Sequence, residues 1–277
     1  MKILVPVDLY ESSYASLHYA VNFAALFEAE ITILYVINSV FNTNEVISYD
    51  PYLEMETTAK ERLIDFKSRF ESEYEGKIPK VSTTTDVVFG IPGMAITEYA
   101  NSNHCDLIIM GVRDKHGFLD RLMGSASTET VKEANCPVLL VHEVNEFKKP
   151  EKILFAFDKK TDLDDALEDY MKINDVIKAK TDFVHIDLKG KDNIEEQKAE
   201  IVSELFEKED AKFAFEIKSL SGNDVVSSLH DYCYFENVDL VSMIHRKEGF
   251  FHNFLSPDKS VKLAQKFNVP VIVFQED

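Results

Sequence analysis

The sequence predicts an α/β fold made of two tandem doubly wound domains, each with a mainly parallel five-stranded sheet flanked by helices. Two observations carry this. Short continuous apolar runs alternate with stretches whose apolar residues recur at helical spacing, as expected for parallel strands buried on both faces by crossover helices. The chain also repeats itself. Lys2-Ile-Leu-Val-Pro-Val-Asp8 returns as Lys152-Ile-Leu-Phe-Ala-Phe-Asp158, and Asp106-Leu-Ile-Ile-Met110 as Asp239-Leu-Val-Ser-Met243. Gly117-Phe-Leu returns as Gly249-Phe-Phe, and Cys136-Pro-Val-Leu-Leu-Val141 as Val269-Pro-Val-Ile-Val-Phe274. The offset is 150 residues at the first strand and 133 at the fourth, so the second copy is about 17 residues shorter, the size of one surface loop. Domains at 1–144 and 151–277 follow, joined by the charged stretch Val144–Glu151.

In the first copy, Ile3–Val7 is a buried strand. Ser12–Phe27 is a helix by the spacing of Leu17, Ala20, Val21, Ala24 and Phe27, with Ser12 or Ser13 as its cap. Glu30–Ile37 is the second strand. A loop through Pro51 leads to a helix with Ala59, Leu63, Phe66 and Phe70 on one face. Val81–Phe89, rich in β-branched residues, is the third strand. Gly90-Ile-Pro-Gly opens a helix carrying Ala95, Ile96, Tyr99 and Ala100; Leu107–Met110, Ser125–Ala134 and Val138–Val141 complete the copy as strand, helix and strand. The second copy repeats this with strands Ile153–Phe157, Asp182–Ile186, Phe213–Ser219, Leu240–Met243 and Val271–Phe274. Its helices are Leu163–Ile177, Ile194–Glu207, Val225–Phe235 and Ser260–Lys266. The shortening falls after its second strand, where Asn38–Tyr52 has no full counterpart near Lys189–Asn193.

Composition narrows the function classes. A net charge of −19 argues against nucleic-acid or anionic-membrane partners, which select basic patches. No apolar run approaches the roughly 20 residues that span a bilayer, and Lys2–Asp8 enters a strand with no signal-peptide layout. Three cysteines with no Cys-x-x-Cys pair give no disulfide framework, so a reduced, cytoplasmic setting is expected. Walker, G-x-G-x-x-G, Gly-x-Ser-x-Gly and His-Glu-x-x-His motifs are missing, and no catalysis is expected.

The segment Gly111-Val-Arg-Asp114-Lys-His-Gly-Phe-Leu-Asp-Arg-Leu-Met-Gly124-Ser125 lies between a buried strand and a helix start, where a doubly wound fold cradles phosphate on backbone N–H groups. Together with Ile-Leu-Val-Pro-Val-Asp8, Tyr35-Val36, Gly90-Ile-Pro92 and Cys136-Pro-Val-Leu-Leu-Val141, it resembles the universal stress protein family in its tandem two-domain form. The resemblance implies a Rossmann-like, adenine nucleotide alpha hydrolase-like fold and a role in stress response. It also implies that the last strand of each copy is a pairing edge, giving an intramolecular pseudo-dimer and room for a further homodimer. Nucleotide-binding members carry G-x2-G-x9-G-[ST]; Gly111, Gly124 and Ser125 match, and Asp114 stands at the second glycine. By resemblance, Asp8 and Val36 would contact adenosine, and Gly111, Gly124 and Ser125 would line the phosphate path of ATP, with Mg. Arg113, Lys115 and His116 lie close enough in sequence to offset phosphate charge.

Asp114 puts a carboxylate beside the phosphate path and removes glycine's backbone freedom, so it either weakens binding or makes it metal-dependent; weakening is the favoured outcome. The second copy has Ile244, Arg246 and Lys247 in the loop and Ser256-Pro257 at the helix start, and proline has no N–H to offer. No nucleotide is expected there. The alternatives are a tandem interaction scaffold without a small ligand and, less so, a slow ATP hydrolase.

Other features have plainer expectations. Asp8 serves adenosine or caps the loop after its strand, and the two stand about even. His116 without a placed partner is expected to face solvent, and Cys136 is expected to be a small buried residue. The His104-Cys105 pair lacks the ligand spacing of a zinc site. The acidic run Asp162, Asp164, Asp165, Glu168, Asp169 reads as a solvated helix face. The aromatic loop Gly249–Phe254 is expected to plug a vacant cleft.

Overall fold

The computed structural model describes residues 1–38, 51–112, 125–157, 163–188, 190, 193–203, 205, 211–245 and 269–276. The N-terminal half contains β1 (Lys2–Val7), α1 (Ser13–Leu26), β2 (Glu30–Ile37), α2 (Pro51–Glu73), β3 (Thr83–Phe89), α3 (Pro92–Ser102), β4 (Leu107–Val112), α4 (Ser125–Glu133) and β5 (Val138–His142). The C-terminal half contains β6 (Lys152–Phe157), α5 (Asp164–Ile177), β7 (Lys180–Asp187), α6 (Glu195–Ser203), β8 (Phe215–Ser221), α7 (Val225–Glu236), β9 (Leu240–His245) and β10 (Val271–Gln275). The expected helix Ser260–Lys266 and the aromatic loop Gly249–Phe254 lie outside the described residues.

The fold is α/β with a mostly parallel sheet covered on both faces. The two halves do not keep separate sheets. The ten strands of the described residues form one, in the order β3-β2-β1-β4-β5-β10-β9-β6-β7-β8. Every pairing is parallel except the central one, where β5 and β10 run antiparallel with Val138, Leu139 and Leu140 opposite Val273, Ile272 and Val271. Parallel neighbours need crossover helices and are met within each half; the join of two finished halves is free to be antiparallel. The linker is short for the same reason: the end of β5 and the start of β6 lie on the same edge of the sheet. Buried Asn145 pins the linker, its Oδ1 accepting the His142 N–H at 2.8 Å and its own N–H donating to the His142 carbonyl at 2.9 Å.

Alternation along each strand sends side chains to two cores. One holds Ile3, Val5, Leu139, Phe155, Ile272 and Phe274 under α1, α2 and α5. The other holds Leu4, Ile108, Leu140, Leu154, Val271 and Val273 under α3, α4 and α7. Both cores run through the β5–β10 seam without interruption. Ile272→Ala at the seam is expected to lower stability by about 2–5 kcal/mol, read as a reduced urea midpoint. An unchanged midpoint would mean that the seam is not a core.

The repeat extends to backbone conformation. Non-glycine residues with left-handed φ follow the first helix of each half at Glu28 (49°) and Lys178 (61°), and follow α3 and α7 at His104 (52°) and Asn237 (51°). Each pair keeps the offset read from the sequence.

Local expectations need correction at the α1 cap and at three strands. β3 begins at Thr83 rather than Val81, and β8 spans Phe215–Ser221 rather than Phe213–Ser219. Neither Ser12 nor Ser13 caps α1: the Ser12 backbone is helical with no side-chain capping bond, and the Ser13 hydroxyl is drawn instead to Asp8 at 2.6 Å. In addition, β7 begins at Lys180, so Asp182 lies inside a buried strand rather than at its mouth.

Candidate functional site

Each half reads 3-2-1-4-5 across its sheet, so in the N-terminal half the strand order reverses between β1 and β4. Crevices for ligands open at that reversal, beyond the carboxyl ends of the strands. Val7 is opposite Tyr35, and carrying the β1–β4 register (Ile3 to Leu107, Leu4 to Ile108) forward brings Gly111 level with Val7. Asp8, Val36 and Gly111 therefore share the carboxyl edge of three adjacent strands. Ser125 opens α4. Arg113, Asp114, Lys115, His116 and Gly124 lie outside the described residues.

Asp8 is exposed. Its Oδ1 accepts the Tyr10 N–H at 3.1 Å and the Ser13 hydroxyl at 2.6 Å, while its own N–H donates to Ser13 Oγ at 3.2 Å. These bonds close the turn between β1 and α1 and set the carboxylate at the positive end of the α1 dipole. Leu9, next in the chain, holds φ at 64°. A β-carbon residue in that region stores roughly 1 kcal/mol or more of strain, held here by the bonds on either side. Sequence reasoning missed Ser13 as the Asp8 partner; the signal was present in an acid ending a strand five residues before a helix-opening serine.

Gly111 needs no unusual φ. A β-carbon there would stand 3.5 Å from Ser16 Oγ, an ordinary contact, so the glycine is not required by packing on α1. Ser16 is buried, and its hydroxyl donates to the Ser13 carbonyl at 3.0 Å. Val36 is partly buried against the α3–α4 side of the sheet.

Helix N-termini differ between the halves. α4 has no acidic residue in its first turn, and α3 begins with Ile91 as N-cap and no side-chain capping bond. Both helices follow strand ends on the carboxyl edge of the sheet, so their positive ends lie on that edge with no acidic residue in the first turn. In the second half the counterpart of α3 is α7, whose N-cap Asp224 already accepts the Ser227 N–H at 2.8 Å. Close packing fixes α3 against α4: a β-carbon on Gly93 would fall 2.5 Å from the Glu129 β-carbon.

The sequence model of the universal stress protein family matches residues 1–142, more than half of the chain. The chain belongs to the universal stress protein family. A universal stress protein of Methanocaldococcus jannaschii is 30% identical over 158 residues, covering 54% of this chain and 84% of the relative. In structure, a universal stress protein from Archaeoglobus fulgidus superposes over 99% of this chain and 96% of its own, with a TM-score of 0.69 at 20% identity. That likeness extends the Rossmann-like, adenine nucleotide alpha hydrolase-like fold over both halves. A universal stress protein solved in complex with cAMP aligns with 52% of this chain and 97% of its own, at 21% identity and a TM-score of 0.41.

Elsewhere this universal stress protein keeps its chemistry quiet. Cys136 lies in the core and burial pushes its thiol up to about 12, so it is inert at neutral pH. Glu168 and Asp169 of the acidic run pair with Lys172 at 2.9 and 3.0 Å on an exposed face. Among the described residues, no group of three or more His, Cys, Asp or Glu could hold a metal, and no helix is long and apolar enough to cross a membrane.

Proposed function

We propose that this chain is a nucleotide-responsive stress regulator that binds an adenine nucleotide, ATP with Mg, in its N-terminal domain, 1–144. The observation that carries this is the meeting of Asp8, Val36 and Gly111 on the carboxyl edge of β1, β2 and β4, the edge at which α3 and α4 begin with no acidic residue in their first turns. Gly124, Ser125 and Arg113 would complete the phosphate path. The domain 151–277 is a partner in packing rather than a second binding site, because Asp224 already occupies the N-terminus of α7 and Ser256-Pro257 replaces Gly124-Ser125. The ligand would act by favouring one packing of the two domains, a shift no larger than its difference in affinity for the two states. Free thiols at Cys105, Cys136 and Cys233 suit a reducing cytoplasm.

Titration calorimetry with Mg-ATP tests the reading. Saturable binding is expected, weakened about tenfold in Asp8→Asn, which removes the charge but keeps a hydrogen-bonding group for Ser13 and Tyr10. Absence of heat at millimolar nucleotide would sink it in favour of a ligand-free interaction scaffold, the reading that Asp114 supports. ATP turnover abolished by alanine at Arg113, Lys115 or His116 would instead restore a hydrolase.

A further inference from the structure

A cleft of about 540 Å³ opens at the amino edge of β2 and β3, between α1, the C-terminal end of α2 and the chain leading into β3. This is the edge of the N-terminal half opposite Asp8 and Gly111. The cleft reaches core side chains, Leu17, Val21, Ile33 and Phe70, and is bounded outward by Ile78 and Val81. Its size falls within the usual range for a small-molecule site, about 300–1,000 Å³. One wall is aromatic: the Tyr74 ring sits 4.9 Å from Phe70 and 5.0 Å from His18.

The charges around it are unequal in placement. Glu71, Glu75 and Lys80 are exposed, and their heads can turn to water. Lys67 is 26% exposed, held against the wall by a bond to the Thr83 carbonyl at 3.3 Å and a loose 3.4 Å pairing with Glu71. An ammonium has three donors, and these contacts engage two. The one charge partly buried in the wall is thus a cation with a donor to spare, beside an apolar floor and a stacking ledge. Among the described residues, α6 (Glu195–Ser203) is much shorter than α2 and shows no matching helix end.

We propose that this cleft is a second small-molecule site, taking a compact amphipathic anion: an aromatic or alkyl body on Leu17, Val21, Ile33 and Phe70, with a carboxylate or sulfonate on Lys67. Selection follows from the pairing of a desolvated apolar body with one charge-assisted bond.

Anilinonaphthalene sulfonate is the probe, with N-phenylnaphthylamine as the same aromatic body without the anion. Saturable one-to-one fluorescence enhancement by the sulfonate is expected. Lys67→Gln should weaken it about fivefold to tenfold and leave the neutral amine unchanged; Val81→Trp, which fills the mouth, should remove both. Methyl spectra of the unaltered protein should show shifts confined to Leu17, Val21, Ile33, Ile78 and Val81, whether or not Mg-ATP is present. Shifts at other methyls, or equal affinity for the two probes in wild type and Lys67→Gln, would overturn the assignment. Because the cleft is on the opposite edge, a failure of nucleotide binding would leave this result standing.

Discussion

Asp114→Gly is expected to tighten ATP binding by ten- to a hundredfold. Two unit charges about 4 Å apart at an effective dielectric near 20 repel by about 4 kcal/mol before screening, and each 1.4 kcal/mol is a factor of ten. Glycine also restores the backbone freedom that the family pattern uses at this place. Asp114→Asn separates the two causes, since it removes the charge and keeps the β-carbon. If charge dominates, Asn recovers most of the gain. The comparison should be run with and without Mg²⁺. Should Asp114→Gly lower Mg-ATP affinity, the carboxylate serves a bridging cation, and the account of Asp114 as an obstacle fails.

Asp182→Asn is expected to destabilise the protein by about 3 kcal/mol. Asp182 is fully buried on β7, facing α7. Its Oδ2 accepts the Tyr232 hydroxyl at 2.7 Å and pairs with Lys152 at 3.1 Å and Lys218 at 3.2 Å. Lys218 also donates to the Tyr232 oxygen at 2.8 Å, and burial pushes that phenol up to about 12, so it stays a donor. Removing the carboxylate charge leaves Lys152 and Lys218, 19% and 28% exposed, with the outer carboxylates of Glu236 at 2.6 Å and Glu216 at 3.0 Å as ion-pair partners, and breaking a buried pair from one side typically costs roughly 3–5 kcal/mol. Asp182→Asn combined with Lys218→Met should recover part of the loss; strict additivity would show that the groups are not coupled.

The pH dependence follows in sign. Burial alone would raise the Asp182 carboxyl, but the bonds from Tyr232, Lys152 and Lys218 outweigh it and hold the group below its ordinary value of 3.8. A carboxyl lowered in the folded state contributes fully above its unfolded value and loses that contribution as pH falls through the folded one. The gap between wild type and Asp182→Asn, read from urea midpoints, should therefore be constant near neutrality and close below about pH 4. A gap unchanged at pH 3 would contradict this.

Much of this architecture is legible from residue order, for identifiable reasons. β2 matches its expected bounds because Glu30 and Ile37 mark where an apolar run starts and stops. β3 begins two residues late because the Thr83 hydroxyl turns back onto the Val81 carbonyl at 3.1 Å, keeping Val81 in the approach to the strand. The β5–β10 pairing is not visible in periodicity, since partners more than 130 residues apart leave no local trace; only the family resemblance pointed to that edge. Likewise the Asp182 network joins three strands and a helix, and a single aspartate near a strand start looks like punctuation. At the candidate site, Asp8, Val36 and Gly111 are named by the family resemblance, and the structure sets them at adjacent strand ends. The bond from Ser13 to Asp8 is missed in the sequence despite the acid five residues earlier, because a serine at a helix start is ordinarily read as a cap.

The antiparallel seam has a consequence for how this molecule can change. In a symmetric dimer of identical chains, every substitution appears twice, once at each site. Here the same geometry is drawn from one chain, so each position varies alone. Leu34 faces Asp86 across β2 and β3, while Val184, 150 residues on, faces Lys218 across β7 and β8. Asp86 accepts the Tyr99 hydroxyl at 2.8 Å, and the matching Tyr232 instead joins Asp182 and Lys218. A charge of opposite sign thus occupies the same place in the two copies, an arrangement that twofold symmetry would forbid. Covalent linkage turns a symmetric assembly into one whose halves are free to specialise.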